Sequence, residues 1–198
     1  MQPNNHIAVF ASGTGTTLQT LIDNQQTYGY HVALVITNRA CQAQERAQAA
    51  GIPALLSKDW CEIDKALTDH DVQLIVLAGF LAIIPEWICA KWEHHTINIH
   101  PSLLPRHGGK GMYGIRVQEA VLQAGDKVAG CTVHYVSAEV DGGIIISQAT
   151  VPVLPNDTPE TLSARVQQEE KLLLPRTIAT ILHNTKQYYT TLHNAEQR

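Results

Sequence analysis

The order of elements along this chain predicts an α/β fold: a mostly parallel central sheet, helices on both faces, and an antiparallel strand region toward the C-terminus. Three observations carry that expectation. Short β-rich runs alternate with amphipathic stretches through the first half, the order that builds parallel sheets. The run at 7–11 is apolar throughout and that at 72–78 nearly so, with Gln73 its one polar residue, instead of alternating, as strands covered on both faces are. In the second half, two long strand candidates are joined by a loop with no helical pattern, which suits an antiparallel pair.

Taken in order, Ile7 to Ala11 reads as a buried strand. A glycine turn then leads into a helix with Leu18, Leu21 and Ile22 at 3–4 spacing. Val32 to Thr37 is a second strand, and Gln42 to Ala50 a helix stopped by Gly51. Asp59 to Asp69 reads as helix. Val72 to Ala78, rich in Val, Ile and Leu, is the clearest buried strand. Thr96 to His100 is another, ended by Pro101. Gly111 to Ala124 contains a helix, and Cys131 to Val136 and Ile144 to Val153 are the two late strands. Thr158-Pro159-Glu160 supplies a capping hydroxyl and a proline at the first helical position, opening a helix expected to run to about Leu182. No repeat, low-complexity segment or linker divides the sequence, so residues 1–198 are read as one domain.

Composition narrows the class. Apolar residues make up 44% of the 198 and charged residues 16%, a globular balance without a disorder signature. Net charge is -4 and the 14 Lys and Arg residues are scattered, so nucleic acid is not an expected partner. The start, Met1 to His6, lacks the features of a signal peptide. The longest apolar stretch, Leu74 to Ile84, is too short for a bilayer and is broken by Gly79, so no membrane association is expected. Cys41, Cys61, Cys89 and Cys131 stand far apart without a C-x-x-C pair, which predicts reduced thiols and a cytoplasmic location. His94, His95 and His100 lack the spacing and partner ligands of a zinc site, and no metal is expected.

Four places depart from a plain scaffold. Ser12 to Thr17 follows a strand and opens a helix, with Gly13 and Gly15 allowing a sharp turn and Thr16 and Thr17 in the first turn. Free N–H groups and the helix dipole there favour an anion such as phosphate. Read alone, the segment is as well a tight turn without a ligand. Asn98 and His100 lie two apart in a strand and so project from one face, at the carboxyl end where open α/β sheets bind ligands. An amide that stabilises an oxyanion beside an imidazole that moves protons suits acyl transfer. A histidine before proline is also a common capped turn. Asp141-Gly142-Gly143 permits close approach of backbone to a ligand, and an Asp near His100 would favour the imidazolium. By itself it reads more readily as a solvated turn. On the last helix, Leu162, Val166 and Leu173 mark an apolar stripe, and Glu170 falls on it. A carboxylate on a buried face is costly unless it is paired or faces a site.

Together these segments resemble the phosphoribosylglycinamide formyltransferase family. The matching pieces are Ala11-Ser12-Gly13-x-Gly15, Val76 to Phe80, Asn98-Ile99-His100-Pro101-Ser102-Leu103-Leu104-Pro105, Gly109 to Gly114, Val133 to Val136, Asp141-Gly142-Gly143 and Arg165-Val166-Gln167. They occur in family order and span nearly the whole chain. The run from Asn98 to Pro105 is the most specific. The resemblance implies a Rossmann-like formyltransferase fold and a reaction in which 10-formyltetrahydrofolate, as co-substrate, formylates 5'-phosphoribosylglycinamide in purine synthesis. Asn98, His100 and Asp141 would be the catalytic trio, acting by direct transfer without a metal. Gly13, Gly15, Thr16 and Thr17 would bind the ribonucleotide phosphate, and Glu170 its glycinamide part. Leu81, Ala82, Ile83, Ile84 and Val140, with Asn98 and Asp141, would form the folate pocket.

Two positions depart from the family pattern: Thr17 stands where many members carry Asn, and Ala82 where an arginine is frequent. No arginine occurs between Arg46 and Arg106, leaving Lys58 as a candidate for the anionic folate tail. Small molecules are the expected partners, and the chain is expected to act as a monomer or homodimer. Methionyl-tRNA formyltransferase shares the Asn98–Pro105 signature, but its additional tRNA domain and basic surface are not expected here. Formyltetrahydrofolate deformylase and a non-catalytic folate- or nucleotide-binding homologue are the remaining alternatives.

Overall fold

In the computed structural model, the backbone is described for residues 4–196 and side chains for 4–184. Seven strands form one sheet in the order β3-β2-β1-β4-β5-β6-β7. They are β1 (His6–Ala11), β2 (His31–Thr37), β3 (Ala54–Leu56), β4 (Leu74–Leu77), β5 (Thr96–His100), β6 (Val128–Tyr135) and β7 (Ile145–Pro152). The pairs from β3 to β5 are parallel, whereas β5·β6 and β6·β7 are antiparallel. The mixed sheet expected from the sequence is therefore present.

Six helices complete the fold: α1 (Thr16–Tyr28), α2 (Gln42–Ala49), α3 (Trp60–Asp69), α4 (Glu86–Lys91), α5 (Ile115–Gln123) and α6 (Pro159–Glu196). Side chains alternate along a strand, and β1 shows the result: Ile7, Val9 and Ala11 face one core, Ala8 and Phe10 the other. The first core takes Leu18 and Leu21 of α1, Val121 of α5, and Leu162, Val166, Leu174, Ile178 and Leu182 of α6. The second takes Ile63 and Leu67 of α3 and Ile88 of α4. Both faces of the central strands are covered, which is why their sequence is continuously apolar. Phe10 is almost completely buried, and burial of a side chain of that size contributes roughly 1.5–3 kcal/mol.

Helix ends follow the local chemistry. Asp59 caps α3, its carboxylate accepting from the Cys61 and Glu62 amides at 2.8 and 3.5 Å. Thr158 Oγ1 accepts from Thr161 N at 3.3 Å, with Pro159 in the first turn as expected. Three differences from the sequence reading have local causes. Strand β3 is a three-residue edge strand and α4 has six residues, both too short to show a period. Helix α6 continues to Glu196, past the expected stop at Leu182. Leu182, 4% exposed, is the last buried residue of the stripe among the described side chains, and periodicity reports where a helix is covered rather than where its backbone stops.

Strand β1 leads outward to β2 and β3 on one side, and the chain then returns to place β4 on the other. That reversal opens a crevice beyond the carboxyl ends of β1 and β4, where doubly wound sheets bind ligands.

Candidate active site

A cleft of about 770 Å³ occupies this crevice. Its lining includes Leu77 at the end of β4, Gly79 just after it, Asn98 to His100 of β5, and Pro101. One wall is formed by 80–84 and by 136–141, another by 109–115, and a third by Ser163, Gln167 and Glu170 of α6. Thr14 and Thr17 close the end nearest α1. Leu81, Ile83 and Val140 line the cleft while remaining 51%, 70% and 43% exposed, so apolar surface is presented inside a concavity, as ligand sites do. Ile84 lines the same wall but belongs mostly to the core, at 9% exposed. Ala82 lies between them.

Asn98 and His100 project from the same face of β5, as their spacing required. The His100 ring is buried, and its Nε2 donates to the His107 carbonyl at 3.0 Å. A carbonyl only accepts, so this bond fixes a proton on Nε2 and leaves Nδ1 as the nitrogen whose protonation varies. Asp141 Oδ2 lies 3.5 Å from that Nδ1. The Asp141 backbone is left-handed, at φ 56°, and its Oδ2 also accepts from Gly109 N at 2.9 Å. Its side chain is only 10% exposed, turned toward the histidines instead of water. Gly143 makes this loop possible. A Cβ there would stand 1.7 Å from the Tyr135 carbonyl oxygen, so only glycine lets the loop pass so close to β6.

His134 completes the cluster, although the sequence reading assigned it no role. It sits opposite Asn98 in the β5·β6 pair. Its Nδ1 donates to the Tyr135 carbonyl at 2.9 Å, and burial lowers its pKa, so the ring is neutral. Nε2 then carries a lone pair and accepts from Asn98 Nδ2 at 3.1 Å. The Asn98 amide is thus held with nitrogen toward His134, one N–H committed and the other available. Only an inter-strand register could have revealed this pair, and local patterning contains none.

The turn from Pro101 to His107 is fastened from several sides. Gln118 Nε2 of α5 donates to the Pro101 carbonyl at 2.7 Å, and Leu104 N donates to Thr132 Oγ1 of β6 at 3.0 Å. The His107 carbonyl that His100 meets therefore belongs to a well-fixed segment.

Glu170 reaches the cleft from α6, where the stripe position placed it. Burial pushes its carboxyl up to about 7, with Lys171 opposing the shift. Arg165, three residues after Leu162, turns away and grips Asp157 with two bonds of 2.7 and 2.8 Å, fixing the start of α6. Of the loop residues expected near an anion, Thr17 lines the cleft, joined by Thr14. Gly13, Gly15 and Thr16 are outside its lining. Gly15 instead has φ 70°, and a Cβ on it would come within 2.8 Å of Ala43 Cα, so its glycine lets α1 approach α2. No side chain caps the first turn of α1. Lys58 is not among the lining residues. Lys110 is the one lysine or arginine that is, among the described residues. No three His, Cys, Asp or Glu side chains are grouped to hold a metal ion among the described residues.

Residues 5–178 match the family model described as formyl transferase. The chain belongs to the formyl transferase family. It is 40% identical to a phosphoribosylglycinamide formyltransferase of known structure from Anaplasma phagocytophilum, with a TM-score of 0.84, covering 90% of this chain and 87% of that one. It is 38% identical to the chloroplastic phosphoribosylglycinamide formyltransferase of Vigna unguiculata, covering 84% of this chain and 57% of that protein. It is 39% identical to the trifunctional purine biosynthetic protein adenosine-3 of Drosophila melanogaster, where the match covers 93% of this chain but 14% of the relative. The chain thus spans only part of these last two relatives. Among the described residues, no helix is long and apolar enough to cross a membrane.

Proposed function

We propose that this formyl transferase moves the formyl group of 10-formyltetrahydrofolate to the primary amine of 5'-phosphoribosylglycinamide. The observation that carries the reading is the convergence of Asn98, His100 and Asp141 at one end of an apolar-walled cleft that Glu170 also lines. Leu81, Ile83 and Val140 offer the flat apolar contact a folate ring system requires. Thr14 and Thr17, with the uncapped first turn of α1, suit the phosphate at the other end. The folate supplies an electrophilic formyl carbon bonded to its N10. As the substrate amine bonds to that carbon and the carbon–N10 bond breaks, one proton leaves the amine and one reaches N10, through water. The free N–H of Asn98 and a proton on His100 Nδ1 face the oxygen on which negative charge develops, and Asp141 balances the imidazolium. Glu170 holds the glycinamide end. Lys110 is the cation available for an acidic folate tail. Four free cysteines suit a reducing compartment such as the cytoplasm.

The test is a transfer assay on purified protein with both substrates, following deformylated folate beside a His100→Ala control. Turnover that needs both substrates and is lost in the control supports the reading. Folate release without the ribonucleotide would replace it with a deformylase, and no turnover would leave a binding protein.

A further inference from the structure

Behind the His107 carbonyl lies a second charged cluster that takes no part in the cleft. Asp126, on the connection between α5 and β6, accepts from His107 Nε2 at 2.8 Å through one oxygen and from Arg106 at 2.6 Å through the other. Its side chain is 10% exposed and the His107 ring 14%, whereas Arg106 is largely in solvent. The bond from His107 and the nearby guanidinium hold the Asp126 carboxyl below its ordinary range, so it is a carboxylate and can only accept. His107 itself has φ 54°, a left-handed conformation that residues with a Cβ rarely adopt. Its carbonyl, in that conformation, receives the His100 Nε2–H at 3.0 Å and the Ser102 hydroxyl at 3.4 Å.

We propose that Asp126 is a positioning residue for formyl transfer. By clamping the His107 ring from outside the cleft, it fixes the one carbonyl that keeps a proton on His100 Nε2 and so leaves Nδ1 to carry the second proton that serves the reaction. Asp126 acts through His107 and touches no substrate. The proposal rests on the reading of His100 as a catalytic residue. Release of the clamp lets the left-handed turn relax, the carbonyl withdraws, and the Nδ1–H tautomer competes. In that tautomer Nδ1 holds its proton on a neutral ring, which stabilises a developing oxyanion less than an imidazolium held between the His107 carbonyl and Asp141.

Two variants separate this from a stapling role on the surface. Asp126→Ala removes the clamp. His107→Asn keeps a residue that tolerates positive φ but is too short to reach Asp126, and it covers the case in which Asp126→Ala fails to fold. In each, kcat is expected to fall about tenfold or more while both KM values stay within about twofold, because a reacting group is displaced and binding is not. The double variant is expected to be no worse than the poorer single, since both break one chain of contacts. The tautomer is read independently, by long-range proton–nitrogen correlation on histidine-labelled protein, with the His100 signal assigned by its loss in His100→Gln. The wild type is expected as Nε2–H and both variants as mixtures. Wild-type kcat in the variants, an unchanged tautomer, or multiplying losses in the double variant would each overturn the proposal. A wild type that transfers no formyl group would sink the functional reading alone, because the tautomer comparison still decides what Asp126 does.

Discussion

Neutral His134 holds Asn98 by a 3.1 Å contact across the β5·β6 pair, and this contact decides which way the Asn98 amide points. His134→Phe preserves bulk but leaves a half-buried Asn98 N–H without its acceptor. A lost acceptor of this kind costs about 1–3 kcal/mol, which corresponds to a kcat lower by about 5- to 150-fold. His134→Gln, which retains an acceptor oxygen, is expected to lose less. Steady-state kinetics on the two variants check the order, and equal losses would remove His134 from the orientation of Asn98.

Asn98→Ala and His100→Ala are each expected to lower kcat by about a hundredfold or more, the scale of an oxyanion donor or a positioned acid. Circular dichroism and thermal unfolding should remain close to the parent protein, since both residues face the cleft. Full activity in either variant would remove that residue from the mechanism.

Glu170 gives the protein a pH dependence of definite sign. Its folded pKa, about 7, lies above the 4.5 of an unperturbed glutamate, so the folded state binds the proton more tightly. The stability linked to Glu170 is therefore complete below pH 4.5 and is lost progressively as pH rises to about 7, after which the loss is constant. Glu170→Gln should stabilise the ligand-free protein above pH 7 by on the order of 1–3 kcal/mol, with little effect near pH 4. It should also raise KM for the ribonucleotide. Urea unfolding of both proteins at pH 4.5 and 8 tests the sign, and a difference that is the same at both values would contradict it.

Gly143→Ala forces a methyl group onto the Tyr135 carbonyl, so the 139–143 loop must move away from β6 and take Asp141 with it. A loss of about 1–3 kcal/mol of stability is expected, the usual scale of overpacking. Transfer activity is expected to fall further than that destabilisation alone explains. Gly142→Ala meets only the flexible Glu139 side chain and should be much milder. Comparing thermal unfolding with kcat for the pair separates the two effects.

Much of the architecture could be read from local pattern because its causes are local. The continuous apolar run of β4 and the alternation that puts Asn98 and His100 on one face follow from a two-residue period. The Thr158-Pro159 start of α6 follows from capping chemistry, and Glu170 stood out because a carboxylate interrupted a buried stripe. What escaped depends on relations between distant segments. The partnership of His134 with Asn98 needs the antiparallel register, and the grip of Asp126 on His107 needs the end of α5 to meet a turn nineteen residues earlier. Gly15 illustrates the converse. Its place in the turn suggested an anion, and the structure adds a second reason for glycine, the contact of α1 with Ala43. Lys58, a candidate for the folate tail only because the arginine is missing, is not among the residues that line the cleft, whereas Lys110 on the 109–115 wall is.

The two antiparallel strands at the end of the sheet also bear on how the protein is made. Strands β1 to β5 can pair in the order in which they leave the ribosome, and they already contain Asn98 and His100. His134, Asp141 and Glu170 arrive only later, with β6, the loop that follows it and α6. A nascent polypeptide therefore carries two reactive side chains on an open sheet edge, without the partners that would orient them or the α6 wall that would enclose a ligand. The enclosed cleft forms only once β6, β7 and α6 have followed β5, so a chain that stops short of them has no place that shields a ligand from water.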